Sequence, residues 1–200
     1  SEMCIRDREK LEGEEGLDIS KLEKSLKLTK KLDRDNLNSW IHKNGTPAKW
    51  DVKDGYFTVK PGTGDILTKQ SFGSCQLHVE YRSPTKIEGD GQDRGNSGIY
   101  LQRRYEIQIL DSNNNRTYSN GQAGSIYKQN MPLVNASRPP GEWQSYDIIF
   151  KAPVFSKNGE VKSPAYVTIF HNGVLIQNNS QIQGHIEHIG YPKYESHPSK

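Results

Sequence analysis

Two polar side chains on one short predicted strand carry the clearest chemical signal in this sequence. Residues 105–111 alternate in character, so Glu106 and Gln108 point to one face of a strand while the isoleucines between them point to the other. A carboxylate and an amide, two residues apart on a rigid strand, can hydrogen-bond the hydroxyl groups of a sugar. Their spacing therefore predicts a sugar-binding groove along this strand.

Further candidates flank that strand in the sequence. Arg94 and Asn96 stand where a long Gly-rich loop meets the strand predicted for residues 98–102, and Asp111 stands where the strand of Glu106 ends. Asp111 could bind sugar or cap a turn, which is a common use of aspartate at such a position. Arg94 could equally be an exposed surface arginine. We expect Arg94, Asn96 and Asp111 to border the groove.

Three more residues extend the candidate site. Tyr127 and Lys128 end a second Gly-rich loop beside the predicted groove, where Tyr127 could stack on a sugar ring or pack against the core. Glu80 belongs to the polar face of the strand predicted for residues 72–82. It could extend the floor of the groove or form an ordinary ion pair with Arg82.

The elements that must position these residues are short strands with turn signals between them. This pattern predicts an all-β fold, a sandwich or jelly roll of antiparallel strands. Asp54-Gly55 and Asn172-Gly173 each lie between apolar runs, which is a strong signal for a β-hairpin. The strands are predicted within residues 50–59, 72–82, 98–102, 105–110, 143–150, 165–170 and 174–177.

Composition narrows the class of function. The 200 residues carry 27 basic and 24 acidic side chains, interspersed along the chain, for a formal net charge of +3. This balance gives no footprint for nucleic-acid binding. No apolar run approaches the roughly 18 residues of a membrane span. The two cysteines, Cys4 and Cys75, could pair, but Cys75 fits a small buried residue of a strand.

The chain is expected to form one β domain with an unusual N-terminal part. Residues 1–8 read as non-native sequence and are set aside. Residues 9–35 are dense in charge and predict a solvated arm or a short amphipathic helix. Residues 36–200 are expected to form the jelly-roll domain, which is incomplete at its C-terminal end.

Taken in order, several segments of the chain resemble a known family. From about Asn36 to the C-terminus the sequence is similar to the bacterial 3-keto-disaccharide hydrolases, which include 3-keto-glucoside-1,2-lyases and 3-keto-2-hydroxy-glucal hydratases. The segments that carry the resemblance are Trp50-Asp-Val-Lys-Asp-Gly55, Val79-Glu-Tyr-Arg82, Gly95-Asn-Ser-Gly-Ile-Tyr100, Tyr105-Glu-Ile-Gln-Ile-Leu-Asp111, Gly121-Gln-Ala-Gly-Ser-Ile-Tyr127, Asn135-Ala-Ser-Arg-Pro-Pro-Gly-Glu-Trp143 and His171-Asn-Gly-Val174.

The resemblance implies a concanavalin A-like jelly roll that is exported to the periplasm or cell surface. It also implies cleavage of 3-keto-glucosides, in which the C2 proton is removed, the C1 substituent leaves by β-elimination and hydration completes a net hydrolysis. The C-terminal strands typical of the family are not found before Lys200. The alternative is a non-catalytic, lectin-like carbohydrate-binding module, because this fold class serves both uses.

Roles for individual residues follow from that chemistry. Glu106 is expected to be the base, and Arg94 to steady the enolate oxygen. Gln108, Asn96, Asp111, Tyr127, Lys128 and Glu80 are expected to contact the sugar. A divalent metal could hold the enolate charge, although no Cys/His cluster indicates structural zinc and no cofactor is certain. The expected partner is a small carbohydrate, with no nucleic acid and no membrane span.

Overall fold

The protein is built almost entirely of antiparallel β-strands. The structure, a computed structural model, describes residues 4–6, 35–186 and 190–198, and for residues 4–6 it describes the backbone alone. The strands in this part of the chain are β1 Cys4–Arg6, β2 Trp40–His42, β3 Asp51–Lys53, β4 Tyr56–Thr58, β5 Ile66–Thr68, β6 Cys75–Arg82, β7 Ser97–Leu101, β8 Tyr105–Ile109, β9 Gln144–Lys151, β10 Val154–Phe155, β11 Val161–Ser163, β12 Tyr166–His171 and β13 Val174–Gln181. Two 3₁₀ turns, Gly91–Asp93 and Ser119–Gly121, lie in the long loops.

One large sheet forms a whole layer of the fold. Its strands follow the order β13-β12-β9-β6-β1-β4-β3, and every neighbouring pair is antiparallel. Short two-stranded sheets accompany it, formed by β2 with β5, β7 with β8 and β10 with β11. The predicted all-β, jelly-roll sandwich is confirmed. No helix among the described residues is long and apolar enough to cross a membrane.

Both predicted hairpin turns are confirmed by backbone geometry. Asp54 and Gly55 have φ of 53° and 74°, and they join β3 to β4. Asn172 and Gly173 have φ of 52° and 80°, and they join β12 to β13. Two consecutive residues with positive φ make the turn whose twist matches the strands that it connects, and asparagine, aspartate and glycine tolerate that conformation best.

The core fills the space between the large sheet and the β7–β8 hairpin. Alternate residues of β6 and β9 face inward, so Tyr81, Tyr146 and Ile148 are buried while Asp147 between them is exposed. The hairpin contributes Leu101, Tyr105, Ile107 and Ile109 to the same cluster. Cys75 packs against this cluster with a free thiol, and burial raises the pKa of that thiol.

Strand β8 is unusual because all five of its residues are buried. Residues 118–130, here called the covering loop, lie along it and bond to its backbone. Tyr127 N donates to Glu106 O at 3.0 Å, Gln108 N donates to Ser125 O at 3.0 Å, and Gly124 N donates to Gln108 O at 2.9 Å. The loop therefore pairs with the edge of β8 that β7 leaves free, while Ile107 and Ile109 on one face of the strand pack into the core.

The N-terminal predictions meet the structure only in part. Cys4–Arg6 forms β1, which pairs with β4 on one side and β6 on the other. This pairing places three residues of segment 1–8 inside the large sheet. It does not test the prediction that segment 1–8 is non-native. The arm or helix was predicted for residues 9–35. Residues 9–34 of this segment lie outside the part of the chain that the structure describes.

Candidate functional site

Glu106 is a buried carboxylate that faces the phenol of Tyr100. The two residues are register partners across the β7–β8 hairpin. Only 7% of Glu106 is exposed, whereas 46% of Tyr100 is exposed. Their side chains are hydrogen-bonded, and the phenol is the donor to an ionised carboxylate. Tyr100 therefore connects a buried carboxylate with the surface.

The environment of Glu106 favours its protonated form. Burial raises the pKa of this carboxyl to about 7, and the negative charge of Asp65 adds to the increase, while the hydrogen bond from Tyr100 opposes it. A carboxyl group with this pKa exchanges protons readily near neutral pH. That property is the one that a general base or acid requires.

The room for this carboxylate comes from a glycine on the neighbouring strand. A Cβ built on Gly98 would overlap the Oε1, Cγ and Cδ atoms of Glu106. Gly98 is paired with Gln108 in the ladder, two positions from the pair of Tyr100 and Glu106 and on the same face of the hairpin. Any residue other than glycine would displace the carboxylate or the strand.

Gln108 lies next to Glu106 on the same face of β8 and is fully buried. Its amide has two orientations with different partners. In one, the nitrogen donates to Gln92 Oε1 at 2.9 Å. In the other, the nitrogen donates to Ser97 O at 2.9 Å and to Glu106 Oε1 at 3.3 Å. Gln108 therefore lies within hydrogen-bonding distance of Glu106 and shares its face of the strand, as predicted, while its contact with a sugar stays a prediction.

An open pocket of about 310 Å³ lies along the covering loop, and Glu106 is not among its lining residues. Its lining includes Tyr118, Tyr127 and Lys128, all from the covering loop. The hydroxyl groups of Tyr118 and Tyr127 are 2.6 Å apart, and Lys128 Nζ lies 5.8 Å and 5.9 Å from the centres of their rings. Burial and the neighbouring Tyr127 raise the pKa of the Tyr118 phenol, and the charge of the Glu106 carboxylate makes a smaller contribution in the same direction.

The structure thus brings Gln108, Tyr127 and Lys128 together with Glu106. It adds Tyr100 and Tyr118, which the sequence interpretation missed. Tyr100 could have been found from the turn at residues 102–104, because a tight turn fixes the register and places Tyr100 opposite Glu106. Tyr118 carried no comparable signal, since it comes from the middle of a long loop.

Arg94 and Asp111 form a buried ion pair. Arg94 Nε donates to Asp111 Oδ2 at 2.7 Å, and the two residues are 8% and 3% exposed. A second nitrogen of the guanidinium, Nη2, donates to Asn113 O at 3.0 Å. These contacts join the loop before β7 to the loop after β8. The catalytic role of Arg94 and the sugar-binding role of Asp111 stay predictions.

Glu80 lies apart from the buried carboxylate, whereas Asn96 is linked to Gln108 through Gln92. Asn96 is an exposed residue whose amide donates to Gln92 O at 2.8 Å. Glu80 belongs to the outer face of the large sheet, because its neighbour Tyr81 points into the core. Since Glu106 points away from that core on the opposite layer, the two carboxylates lie on opposite sides of the sandwich. The structure does not bring Glu80 to Glu106 or to the pocket along the covering loop.

His171 is a core residue, although it directly precedes a turn. It is completely buried, and its Nε2 lies 2.9 Å from Gln144 Oε1 and 3.2 Å from the hydroxyl of Tyr81. Burial, with a smaller contribution from the charge of Arg138, lowers the pKa of this imidazole to about 4. His171 is therefore neutral at physiological pH and packs where no substrate reaches it.

The described residues contain no group of three His, Cys, Asp or Glu side chains arranged to hold a metal ion. The sequence left a divalent metal open as a carrier of enolate charge. The residues around Glu106 that offer positive charge or hydrogen-bond donors are Tyr100, Tyr118, Tyr127 and Lys128, and these are poor ligands for a hard cation. No metal ligand set is assigned to this site.

Comparisons with known proteins agree with this architecture. A crystal structure of a "putative glycosyl hydrolase" from Parabacteroides distasonis ATCC 8503 is 51% identical in sequence. It superposes with a TM-score of 0.81 over 83% of this chain and 70% of that chain. A second structure with the same description and organism is 22% identical, with a TM-score of 0.52 over 74% of this chain and 71% of that chain, and shows the fold alone.

A search among curated proteins found no match. The family described as the 3-keto-alpha-glucoside-1,2-lyase-like domain matches residues 28–197, which include every strand from β2 to β13, Glu106 and the whole of the pocket along the covering loop. With a match over most of its length, this chain belongs to the 3-keto-alpha-glucoside-1,2-lyase-like domain family.

Proposed function

We propose that this domain cleaves 3-keto-glucosides, with Glu106 as the base that removes the C2 proton. The observation that carries the proposal is the Glu106 carboxyl group, which is buried on a strand paired with the covering loop, has a pKa raised to about 7 and is hydrogen-bonded to the exposed phenol of Tyr100. Membership of the family supports the substrate class.

The proposed chemistry begins with an acidic C–H bond. A ketone at C3 acidifies the hydrogen at C2, because the carbanion left by its removal is delocalised onto the ketone oxygen as an enolate. Glu106 takes the proton, and the electron pair then expels the glycosidic oxygen from C1 by β-elimination. Addition of water to the resulting 2-hydroxy-3-keto-glucal makes the net change a hydrolysis.

A pKa of about 7 suits Glu106 both for accepting the C2 proton and for returning a proton later in the reaction. At neutral pH about half of the population carries the ionised carboxylate that can accept the proton. The same group, once protonated, is acidic enough to return its proton to the departing oxygen or to the product. Tyr100 adjusts this balance, because its hydrogen bond favours the ionised form.

Two needs remain: the enolate oxygen and the leaving oxygen both require donors. Tyr118, Tyr127 and Lys128 offer two hydroxyl groups and an ammonium group within one pocket. Preorganised donors of this kind stabilise the charge that develops in the transition state. Gln108 is proposed to orient Glu106 through its amide.

The experiment compares a 3-keto-glucoside with the corresponding unoxidised glucoside. Release of the aglycone is followed by mass spectrometry for the wild-type protein and for Glu106→Gln, with and without an added divalent metal salt. We expect release from the keto sugar only, falling by about 100- to 10,000-fold in Glu106→Gln, as is typical when a general base is lost.

The matched control is Glu160→Gln, the same chemical change at an exposed glutamate between β10 and β11. It should leave the rate unchanged. Release that persists in Glu106→Gln would remove Glu106 from the chemistry. A folded wild-type protein that binds the sugars but releases nothing would favour the alternative, a non-catalytic carbohydrate-binding module.

A further inference from the structure

Two glutamine side chains, Gln92 and Gln108, lie in series between Glu106 and the covering loop, and they are called here the amide pair. Gln92 belongs to the 3₁₀ turn Gly91–Asp93, whereas Gln108 is fully buried on β8. The Gln92 amide lies 2.9 Å from the carbonyl oxygen of Gly121 in the covering loop and 2.9 Å from the Gln108 amide. The Gln108 amide in turn lies 3.3 Å from Glu106 Oε1. The amide pair therefore connects the proposed base with the backbone of the covering loop.

The amide pair is one hydrogen-bond donor short. It makes three contacts in a row, which are Gly121 O with Gln92, Gln92 with Gln108, and Gln108 with Ser97 O at 2.9 Å. Both backbone carbonyls only accept hydrogen bonds, and each side-chain amide has its donors on the nitrogen and its acceptor on the oxygen. Two nitrogens can serve two of the three contacts. Two oxygens therefore face each other at the third contact, whichever way the amides point.

A further donor can be supplied at either end of the amide pair. The hydroxyl of Thr117 lies 3.1 Å from the Gln92 amide and can donate to it when that end carries the oxygen. Glu106 can donate only when it is protonated, because an ionised carboxylate accepts and does not donate. With Glu106 protonated, the oxygen of Gln108 can face the carboxyl group while Gln92 keeps its bond to the covering loop. With Glu106 ionised, the nitrogen of Gln108 can face the carboxylate while Gln92 turns its oxygen toward the loop.

Titratable groups on other elements also surround Glu106. They are Tyr100 from β7, Asp65 from the segment before β5, and Tyr118, Tyr127 and Lys128 from the covering loop. The hydrogen bond from Tyr100 favours the ionised form of Glu106, whereas the charge of Asp65 favours the protonated form. All of these groups are retained when a glutamine of the amide pair is replaced. A change in the titration of Glu106 that follows the replacement is therefore due to the amide pair.

We propose that Gln92 is a positioning residue for Glu106, because it determines which end of the Gln108 amide faces the carboxylate. The amide pair reverses its direction when Glu106 loses or takes up a proton. The charge of Glu106 is thereby linked to the carbonyl of Gly121 in the covering loop. The importance of this link for turnover rests on the proposed function, in which Glu106 is the base. The link itself is a property of the folded protein and can be measured without any turnover.

The first measurement is a pH titration of the wild-type protein by NMR. The ¹³C signal of the Glu106 carboxyl group and the side-chain amide signals of Gln92 and Gln108 are followed together. We expect both amides to shift with the same midpoint as Glu106, and we expect neither to shift at that midpoint in Glu106→Gln. An amide signal of Gln92 that does not follow Glu106 would overturn the proposal.

Replacement of each glutamine by methionine, which has a similar size and no amide, separates the two members of the pair. In Gln92→Met, ionisation of Glu106 no longer costs the bond to Gly121 O, so its pKa should fall by about one pH unit, roughly the worth of one hydrogen bond to a charged group. In Gln108→Met the carboxylate loses a donor, so the pKa should rise by a similar amount. The double variant should match Gln108→Met, because Gln92 acts only through Gln108. The matched control, Gln76→Met at an exposed position of β6, should leave the pKa unchanged.

Two results with the variants would overturn the positioning role. One is an unchanged pKa of Glu106 in folded Gln92→Met, and the other is the same fall on adding Gln92→Met to Gln108→Met. In the 3-keto-glucoside assay, the acidic limb of log kcat/KM should move to lower pH in Gln92→Met. Turnover retained in Glu106→Gln would reject Glu106 as the base and leave the link to the amide pair in place. Turnover lost in Glu106→Gln without coupled amide shifts would reject the positioning role alone.

Discussion

The carboxylate of Glu106 occupies the space that the Cβ of any residue other than glycine would take at position 98. Gly98 has an ordinary strand conformation, so no turn or positive φ requires a glycine there. Glycine in the interior of a strand weakens it. The need for glycine at this position therefore comes from the carboxylate that packs on it, and the stability of β7 is linked to the placement of Glu106.

Gly98→Ala should disturb the protein only while Glu106 is present. We expect it to lower both the free energy of unfolding and kcat/KM for a 3-keto-glucoside, because the methyl group and the carboxylate overlap. In the background of Glu106→Ala the same change should be nearly neutral for stability. Urea unfolding of the four proteins gives the coupling free energy. Additive effects would show that the two residues do not share this space.

Glu106→Gln should make the protein more stable at alkaline pH than the wild type. The folded-state pKa of Glu106 is raised, so the folded protein holds this proton more tightly than the unfolded chain does. Its contribution is complete below the unfolded pKa, near 4, and is lost as the pH rises through about 7, at a cost of up to about 3 kcal/mol.

The check is the difference in unfolding free energy between Glu106→Gln and the wild type, measured at pH 4.5 and at pH 8. We expect this difference to shift in favour of the variant on going to pH 8. Any penalty from the altered hydrogen bond with Tyr100 is present at both values. A difference that is independent of pH would mean that Glu106 titrates as an ordinary exposed carboxyl group.

Tyr100→Phe should move the acidic limb of the pH–rate profile to higher pH. The phenol lowers the pKa of Glu106 by hydrogen-bonding to its ionised form, so its loss leaves the raising effects of burial and Asp65 unopposed. A shift of about one pH unit corresponds to roughly 1.4 kcal/mol. Log kcat/KM against pH is the measurement, and Tyr118→Phe is the control. A downward shift would contradict the assigned hydrogen bond.

Arg94 and Asp111 should prove essential to folding. Replacing either one with alanine leaves a buried charge unpaired, and we expect a loss of about 3–5 kcal/mol in the free energy of unfolding. Arg94→Lys should recover only part of it, because one ammonium group cannot reproduce both the bond to Asp111 and the bond to Asn113. If Arg94→Lys were as stable as the wild type but inactive, Arg94 would belong to the chemistry.

Turn residues and the alternation of polar and apolar residues predicted the fold well, because both depend on interactions between residues close in the sequence. The Asp54-Gly55 and Asn172-Gly173 turns and the alternation of β6, β8 and β9 follow from backbone sterics and from which face is buried. The same alternation placed Glu106 and Gln108 on one face. It could not show that this face would be buried as well, or that the covering loop would pair with the edge of β8, since these contacts come from a different part of the chain.

Contacts distant in the sequence explain the rest. Glu80 has the same alternation as Glu106, yet it lies on the other layer, and no period of two distinguishes one sheet from another. His78 on β6 pairs with Asp147 on β9, a partner 69 residues away that no local pattern indicates. The ion pair of Arg94 and Asp111 likewise depends on how two loops meet, which turn signals do not specify.

Both faces of β8 are buried, and this arrangement limits how the domain can change in evolution. One half of the strand belongs to the core and the other half carries the proposed base, so nearly every substitution in it risks both folding and catalysis. The covering loop, in contrast, supplies Tyr118, Tyr127 and Lys128 from irregular backbone. If related domains act on different sugars, we therefore expect their sequences to differ mainly in the covering loop and much less in β8.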